Sequence, residues 1–265
     1  MLSALVALLL LGAIAGLLAG LLGVGGGLVL VAGLVWLLPQ LGVPETASMH
    51  AALATSLGSI VFTGLSSARA HQRRGSVIWP SVRRLVPGLL LGGIAGARLA
   101  TALPGDALRY AVAAFCVLAA LQLLFGQPRA HGHSAAPNSP WLLLAGALIG
   151  AVSAIVGIGG GSMTVPLLIW LGAMPVRAVG SSAACGVAIA CSSALGYALF
   201  GPLAAVSGMP AGSIGYLYLP AALGIALASV VAAPYGTALA HRIGGLALKR
   251  VFAGLLLLVA ISLLR

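Results

Sequence analysis

The chain has 265 residues, 61% of them hydrophobic and 6% charged, with 13 Lys and Arg against two acids and a formal net charge of +11. A mean hydropathy of +1.18 excludes a soluble domain, and positives placed at span ends and loops, with no soluble basic domain to carry them, read as a membrane-topology signal and not as a nucleic-acid surface. Cys116, Cys185 and Cys191 all lie in apolar segments without CxxC spacing, so neither a disulfide framework nor a cysteine metal site is expected.

The first apolar run, Leu2 to Leu38, would make a helix of about 55 Å, far longer than a hydrocarbon core of about 30 Å. It has to break, and Gly23-Val24-Gly25-Gly26-Gly27 is where: glycine disfavours helix and leaves two helix ends, with unpaired N–H and C=O groups, at membrane depth. Irregular backbone there is tolerated only where protein buries it or it lines a cavity. The first half then reads as spans at Leu2–Leu22, Leu28–Leu38, Ala47–Ala68, Ser76–Ala102 and Ala107–Phe125. The first span lacks the basic n-region of a signal peptide. A polar stretch from Gly126 to Pro140 with three prolines reads as a cytoplasmic linker, residues 127–140, between an N-terminal repeat at 1–126 and a C-terminal repeat at 141–265. The second half runs Trp141–Val156, Ser162–Leu171, Val176–Phe200, Ser213–Ala240 and Leu246–Leu264, with its own break at Gly157-Ile158-Gly159-Gly160-Gly161. Strand signals are absent, and the expected class is an all-α polytopic membrane protein.

The halves also match in sequence. GVGGGLVLVAGL at Gly23 answers GIGGGSMTVPLL at Gly157, Leu41-Gly42 before Pro44 answers Leu171-Gly172 before Pro175, and Ala54-Thr55-Ser56 answers Gly180-Ser181-Ser182. Arg69, Arg73, Arg74, Arg83 and Arg84 put the loop between the third and fourth spans inside, while the equivalent loop Gly201 to Gly212 carries no charge and is expected outside. Equivalent loops on opposite faces mean inverted topology. Arg98 and Arg109 fall near the outer face on this scheme, against the rule.

Each motif has two readings. The glycine runs lack the preceding strand and the lysine of phosphate loops, which leaves close helix packing or a pair of helix N-termini that offer N–H donors and partial positive charge to an anion. Ser162 and Thr164 after the second break, and the matched Thr55, Ser56, Ser181 and Ser182, either bond backbone carbonyls or touch a ligand. His50 is a structural donor or an anion gate. His131 and His133 in the linker lack further metal ligands. The only acids, Glu45 and Asp106, fall in short loops, Asp106 as a helix cap, so no hydrolytic triad can be assembled.

The residues GLLGVGGG, PETASMHAALATSL and SSARAHQRRGSVIW in the first half, with GIGGGSMTVPLL, RAVGSSA and PYGTALAHRI in the second, resemble the TauE/SafE sulfite exporter family over essentially the whole chain. The resemblance implies a bacterial plasma-membrane permease moving small sulfur-containing anions, such as sulfite or organosulfonates, usually outward. Ser181 stands where many relatives carry threonine, which keeps the hydroxyl.

The reading is therefore a two-repeat transporter without cofactor, metal or catalytic residue, whose partners are a small anion and the lipid bilayer. Its substrate contacts are expected at Gly25, Gly26, Gly27, His50, Thr55, Ser56, Gly159, Gly160, Gly161, Ser162, Ser181 and Ser182. A channel, an importer and an intramembrane enzyme remain as alternatives. The sequence assigns no oligomeric state.

Overall fold

The computed structural model of the chain describes residues 2–22, 26–125, 141–201, 208–240 and 245–264. Gly25, the linker with His131 and His133, and the middle of the uncharged loop at 202–207 lie outside the described residues. The described residues form ten helices: α1 (Leu2–Leu22), α2 (Gly27–Leu37), α3 (Glu45–Arg73), α4 (Trp79–Ala102), α5 (Gly105–Phe125), α6 (Trp141–Val156), α7 (Gly161–Trp170), α8 (Pro175–Leu199), α9 (Leu219–Ala240) and α10 (Gly245–Leu264). Among them, α3, α4, α5, α8 and α9 are long and apolar enough to cross a membrane. Their lipid-side residues, Leu91, Leu118, Leu195 and Leu227 among them, are large, apolar and exposed. The chain is an all-α polytopic membrane protein.

The expected spans coincide with these helices to within a few residues, with one exception. Residues expected to begin the ninth span instead form a two-stranded antiparallel hairpin, Ser213–Ile214 against Leu217–Tyr218, so the expectation of no strand is corrected. The acids are corrected too: Glu45 and Asp106 sit in the first turns of α3 and α5, where a carboxylate complements the helix dipole. Arg98, on the side where the charge rule expects no arginine, lies 5.3 Å from the centre of the Phe200 ring in a cation–π contact.

Both short helices stop in the same way. After α2, Gly42 is left-handed and the Val43 N–H reaches back to the Leu38 carbonyl at 3.1 Å; after α7, Gly172 is left-handed and Ala173 N–H reaches Leu168 at 2.9 Å. These are Schellman-type closures that reverse the chain into α3 and α8.

The halves are interleaved. The most extensive packing joins α4 to α6 and α1 to α9, each pairing an element of one half with an element of the other. Close approach makes both pairs. Gly88, Gly92 and Gly96, one turn apart on α4, lie against the carbonyls of Leu143, Ala147 and Ala151 of α6, and Gly12 and Gly16 of α1 lie against Ile225 and Ser229 of α9. Ser229 adds a hydroxyl bond of 2.7 Å to the Gly12 carbonyl. α3 packs on α8, the two most buried of the long helices, and α5 packs on α10. One apolar core runs through Leu34, Met49, Leu53, Leu57, Leu108, Val112 and Leu256, and a second through Leu85, Leu89, Leu142, Leu168 and Ile189.

Candidate functional site

The two glycine breaks meet. A Cβ on Gly27, the first residue of α2, would sit 2.9 Å from the Gly157 carbonyl oxygen and 3.2 Å from Ile158 Cα, so the two backbones touch and only glycine fits. The Ser56 hydroxyl, fully buried on α3, lies 3.0 Å from the Gly157 carbonyl and 3.3 Å from that of Gly27, tying one break to the other. Gly159 completes the contact, facing Ile60 of α3 and Gly186 of α8.

The two helix starts differ in detail. α7 begins on Gly160, which is left-handed at φ 70° after Gly157 at φ 76°, a conformation that costs an L side chain about 1–2 kcal/mol. The Gly160 carbonyl accepts the Thr164 N–H at 2.8 Å, so the first turn is formed, while the N–H groups at its start have no partner inside the helix. α2 begins on Gly26 at φ −74°. There the backbone angle is ordinary, and the requirement for glycine comes from the Ala15 backbone pressed against it.

Thr55 and Ser181, matched in sequence, perform the same task at two opposite places. The Thr55 hydroxyl accepts the N–H of Tyr218 at 3.2 Å, immediately before α9, and the Ser181 hydroxyl accepts the N–H of Ile78 at 2.8 Å, immediately before α4. Each therefore satisfies a backbone donor at the start of a helix in the other half. Ser181 also donates to the Arg177 carbonyl at 2.7 Å. The chain before each of those helices is built alike: Gly75 and Gly215 are left-handed, Ser76 N–H bonds the His71 carbonyl at 3.1 Å, and Tyr216 N–H bonds the Tyr197 carbonyl at 3.3 Å. Gly75-Ser76-Val77-Ile78 thus answers Gly215-Tyr216-Leu217-Tyr218.

His50 stands apart from the breaks. Its Nε2 lies 3.2 Å from the Ala100 carbonyl and 3.0 Å from that of Leu103, at the end of α4, and its ring stacks on Tyr216 at 4.8 Å. Both neighbours are acceptors, so Nε2 carries the hydrogen. Ser182 is buried on α8. Of the expected contacts, Gly27, Ser56 and Gly159 come together, with Gly160, Gly161 and Ser162 following directly along α7; His50, Thr55 and Ser181 hold helix ends.

Sequence reasoning passed over Ser153 of α6. It is fully buried, its hydroxyl has no partner among the described residues, and it lies 3.3 Å from where a Cβ on Gly160 would be. It also passed over a second repeat match, Leu65-Ser66-Ser67-Ala68 against Cys191-Ser192-Ser193-Ala194. The structure treats the two differently: Ser192 and Ser193 are buried against Gly93 of α4, whereas Ser66 and Ser67 are exposed. A cavity of about 320 Å³ opens elsewhere, at the far end of α2 from Gly27, lined by Trp36, Glu45, Ser48 and Arg109.

A family model described as Sulfite exporter TauE/SafE matches residues 8–263. A probable membrane transporter protein of Haemophilus influenzae is 38% identical over 260 residues, covering 96% of each chain. The probable membrane transporter protein YunE of Bacillus subtilis is 27% identical over 235 residues, 80% of this chain and 81% of its own. A probable membrane transporter protein of Xylella fastidiosa is 31% identical over 176 residues, 64% of this chain and 65% of its own. No solved structure matches.

Proposed function

The chain belongs to the sulfite exporter TauE/SafE family, and we propose that this membrane transporter carries a small sulfur-containing oxyanion, such as sulfite or an organosulfonate, outward across the plasma membrane. The observation that carries the reading is the meeting of Gly27, at the start of α2, with Gly157, between the end of α6 and the start of α7, which brings the two breaks together inside a protein whose two carboxylates lie in the first turns of α3 and α5. Each break opens a helix N-terminus, whose N–H groups and positive dipole end suit an anion and repel a cation.

Inverted topology belongs to the same proposal. It is supported by the exchanged contacts: the segment after α3 lies against the start of α8 through Ser76 and Gly180, and the end of α8 meets the hairpin that touches Thr55 and His50 near the start of α3. With the Arg69 to Arg84 end taken as cytoplasmic, we read the exposure of Ser66 and Ser67 against the burial of Ser192 and Ser193 beside Gly93 of α4 as an inward-facing arrangement. That is the conformation in which an exporter receives its cargo.

The test is thermal stabilisation of the purified protein by sulfite, thiosulfate, sulfate, methanesulfonate and taurine, with chloride and neutral sulfones as controls. The reading expects at least one sulfur oxyanion to raise the unfolding temperature in a saturable way and the neutral compounds to leave it unchanged. Equal response to all salts at equal ionic strength overturns it.

A further inference from the structure

Hydroxyls in transmembrane helices ordinarily bond a carbonyl one turn back in their own helix. Several here do: Ser59 to Ser56 at 2.7 Å, Thr63 to Ser59 at 3.3 Å, Ser192 to Ile189 at 3.2 Å and Ser262 to Val259 at 3.0 Å. Among the described residues five buried hydroxyls have no partner: Ser193 and Ser213 stand elsewhere, and three lie around the start of α7. Ser153, Ser162 and Thr164 have buried hydroxyl oxygens without a partner among the described residues, and Ser153 and Thr164 are fully buried. A buried hydroxyl left unpaired carries the full cost of its desolvation, and such groups in a native interior call for a missing partner.

The repeat says what kind of partner. With Gly23 to Gly27 laid over Gly157 to Gly161, the counterparts of Ser153, Ser162 and Thr164 are Ala19, Leu28 and Leu30. The architecture of the break is duplicated and its hydrogen-bonding chemistry is not. Contact between Gly27 and Gly157 also closes the direct space between the breaks, and Ser56 already spends its one hydrogen on those two carbonyls. What remains beside α7 is a set of hydroxyl donors from two helices together with the N–H groups of Gly161 and Ser162, which have no carbonyl inside the helix to bond, while Met163 N–H bonds the Gly160 carbonyl at 3.1 Å; no acidic side chain is present.

Resting on the transporter reading, we propose that the cargo is held from one side only, by Ser153 of α6 and Thr164 of α7 with the N–H groups that open α7, while the first repeat supplies an apolar, close-packed wall. Ser153 is then a substrate-binding residue. The set suits an oxyanion, because the hydroxyls and the backbone N–H groups can all donate and several oxygens can accept from them.

The experiment uses full-length protein in detergent, titrated with sodium sulfite, with sodium chloride in parallel, and compares the wild type with Ser153→Ala, Ser153→Thr, Thr164→Val and the symmetry control Ala19→Ser. The proposal expects Ser153→Ala and Thr164→Val each to weaken sulfite binding about tenfold, the effect of one lost donor to a charged acceptor. Ser153→Thr should restore most of the affinity, the chloride response should not change, and Ala19→Ser should gain nothing. Thr164→Val preserves shape, so its binding can be read even if Ser153→Ala folds poorly. Unchanged sulfite affinity in both donor deletions, with only the ligand-free unfolding temperature altered, makes these hydroxyls packing devices and overturns the proposal while leaving the transporter reading standing. Failure of the wild type to bind any sulfur oxyanion overturns both.

Discussion

Replacing Gly160 by alanine should damage the protein more than the same change at any other left-handed glycine with open surroundings, and the size of the difference can be worked out. At φ 70° an alanine pays about 1–2 kcal/mol for the left-handed conformation. Its methyl would also collide with Cδ1 of Ile189, itself fully buried on α8, and overpacking of a filled core adds about 1–3 kcal/mol. Together they make about 2–5 kcal/mol. Gly42 is the internal reference: its φ is 89°, nothing lies within 4 Å of where a methyl would sit, and Gly42→Ala should therefore show the conformational cost alone. The assay is the unfolding temperature of both variants in the same detergent, followed by sulfite efflux from proteoliposomes normalised to folded protein. Gly160→Ala should unfold at a lower temperature than Gly42→Ala and should lose efflux, since Ile189 or the first turn of α7 has to shift to accept the methyl. If the two variants unfold together and both transport at the wild-type rate, the geometry assigned to the start of α7 is wrong.

Thr55→Val and Ser181→Ala each strip the partner from a backbone N–H at the start of a helix, so each should lower stability by about 1–2 kcal/mol; sulfite affinity in the surviving folded protein should hold, and a large loss of affinity at normal stability would return these hydroxyls to the binding site. In a variant with Cys116, Cys185 and Cys191 replaced, Arg74→Cys and Ala211→Cys should label from opposite membrane faces with an impermeant thiol reagent, and labelling from one face would end the inverted scheme. In the same background Ser67→Cys should react rapidly from the cytoplasmic side and Ser193→Cys should resist, because Ser193 is buried beside Gly93 of α4 and Ser67 is exposed; equal reactivity would refute the inward-open assignment.

Most helices were legible because apolar runs of bilayer length are punctuated by glycine and proline, and that signal depends on composition alone. The hairpin at 213–218 was hidden by the same rule: Ile214, Leu217 and Tyr218 are as apolar as a span, and hydropathy cannot tell two residues of extended chain from a first helical turn. The candidate site shows a subtler limit. Matching hydroxyls in both repeats look like ligand contacts, yet Thr55 and Ser181 satisfy helix starts, which every copy of the repeat needs. If the halves are repeats, scaffolding is needed in both copies, whereas a ligand that occupies one position needs its donors only once. Ser153 opposite Ala19 breaks the repeat and so carries more information than Thr55 opposite Ser181 preserves.

The driving force follows from what the spans lack. Glu45 and Asp106, the only acids in the chain, sit in the first turns of α3 and α5, and His50 holds the end of α4 through two carbonyl contacts. Proton-coupled carriers use intramembrane carboxylates or histidines as relays; here no carboxylate is placed to serve, which leaves His50, whose Nε2 is committed to the end of α4. The membrane potential needs no such group. With a negative cytoplasm, each negative charge leaving the cell gains about 2.3 kcal/mol per 100 mV, so a dianion gains roughly twice that, enough to sustain a concentration ratio of about a thousandfold. Export is therefore expected to be electrogenic. In proteoliposomes of known orientation, a potassium diffusion potential at equal pH should drive sulfite flux in the direction set by its sign, and collapsing the potential should abolish the net flux. Flux that ignores the potential and follows an imposed pH gradient would show that protons are coupled after all, and His50→Gln, which keeps a donor for the Ala100 and Leu103 carbonyls while removing the titration, would then separate the relay from the structural contact.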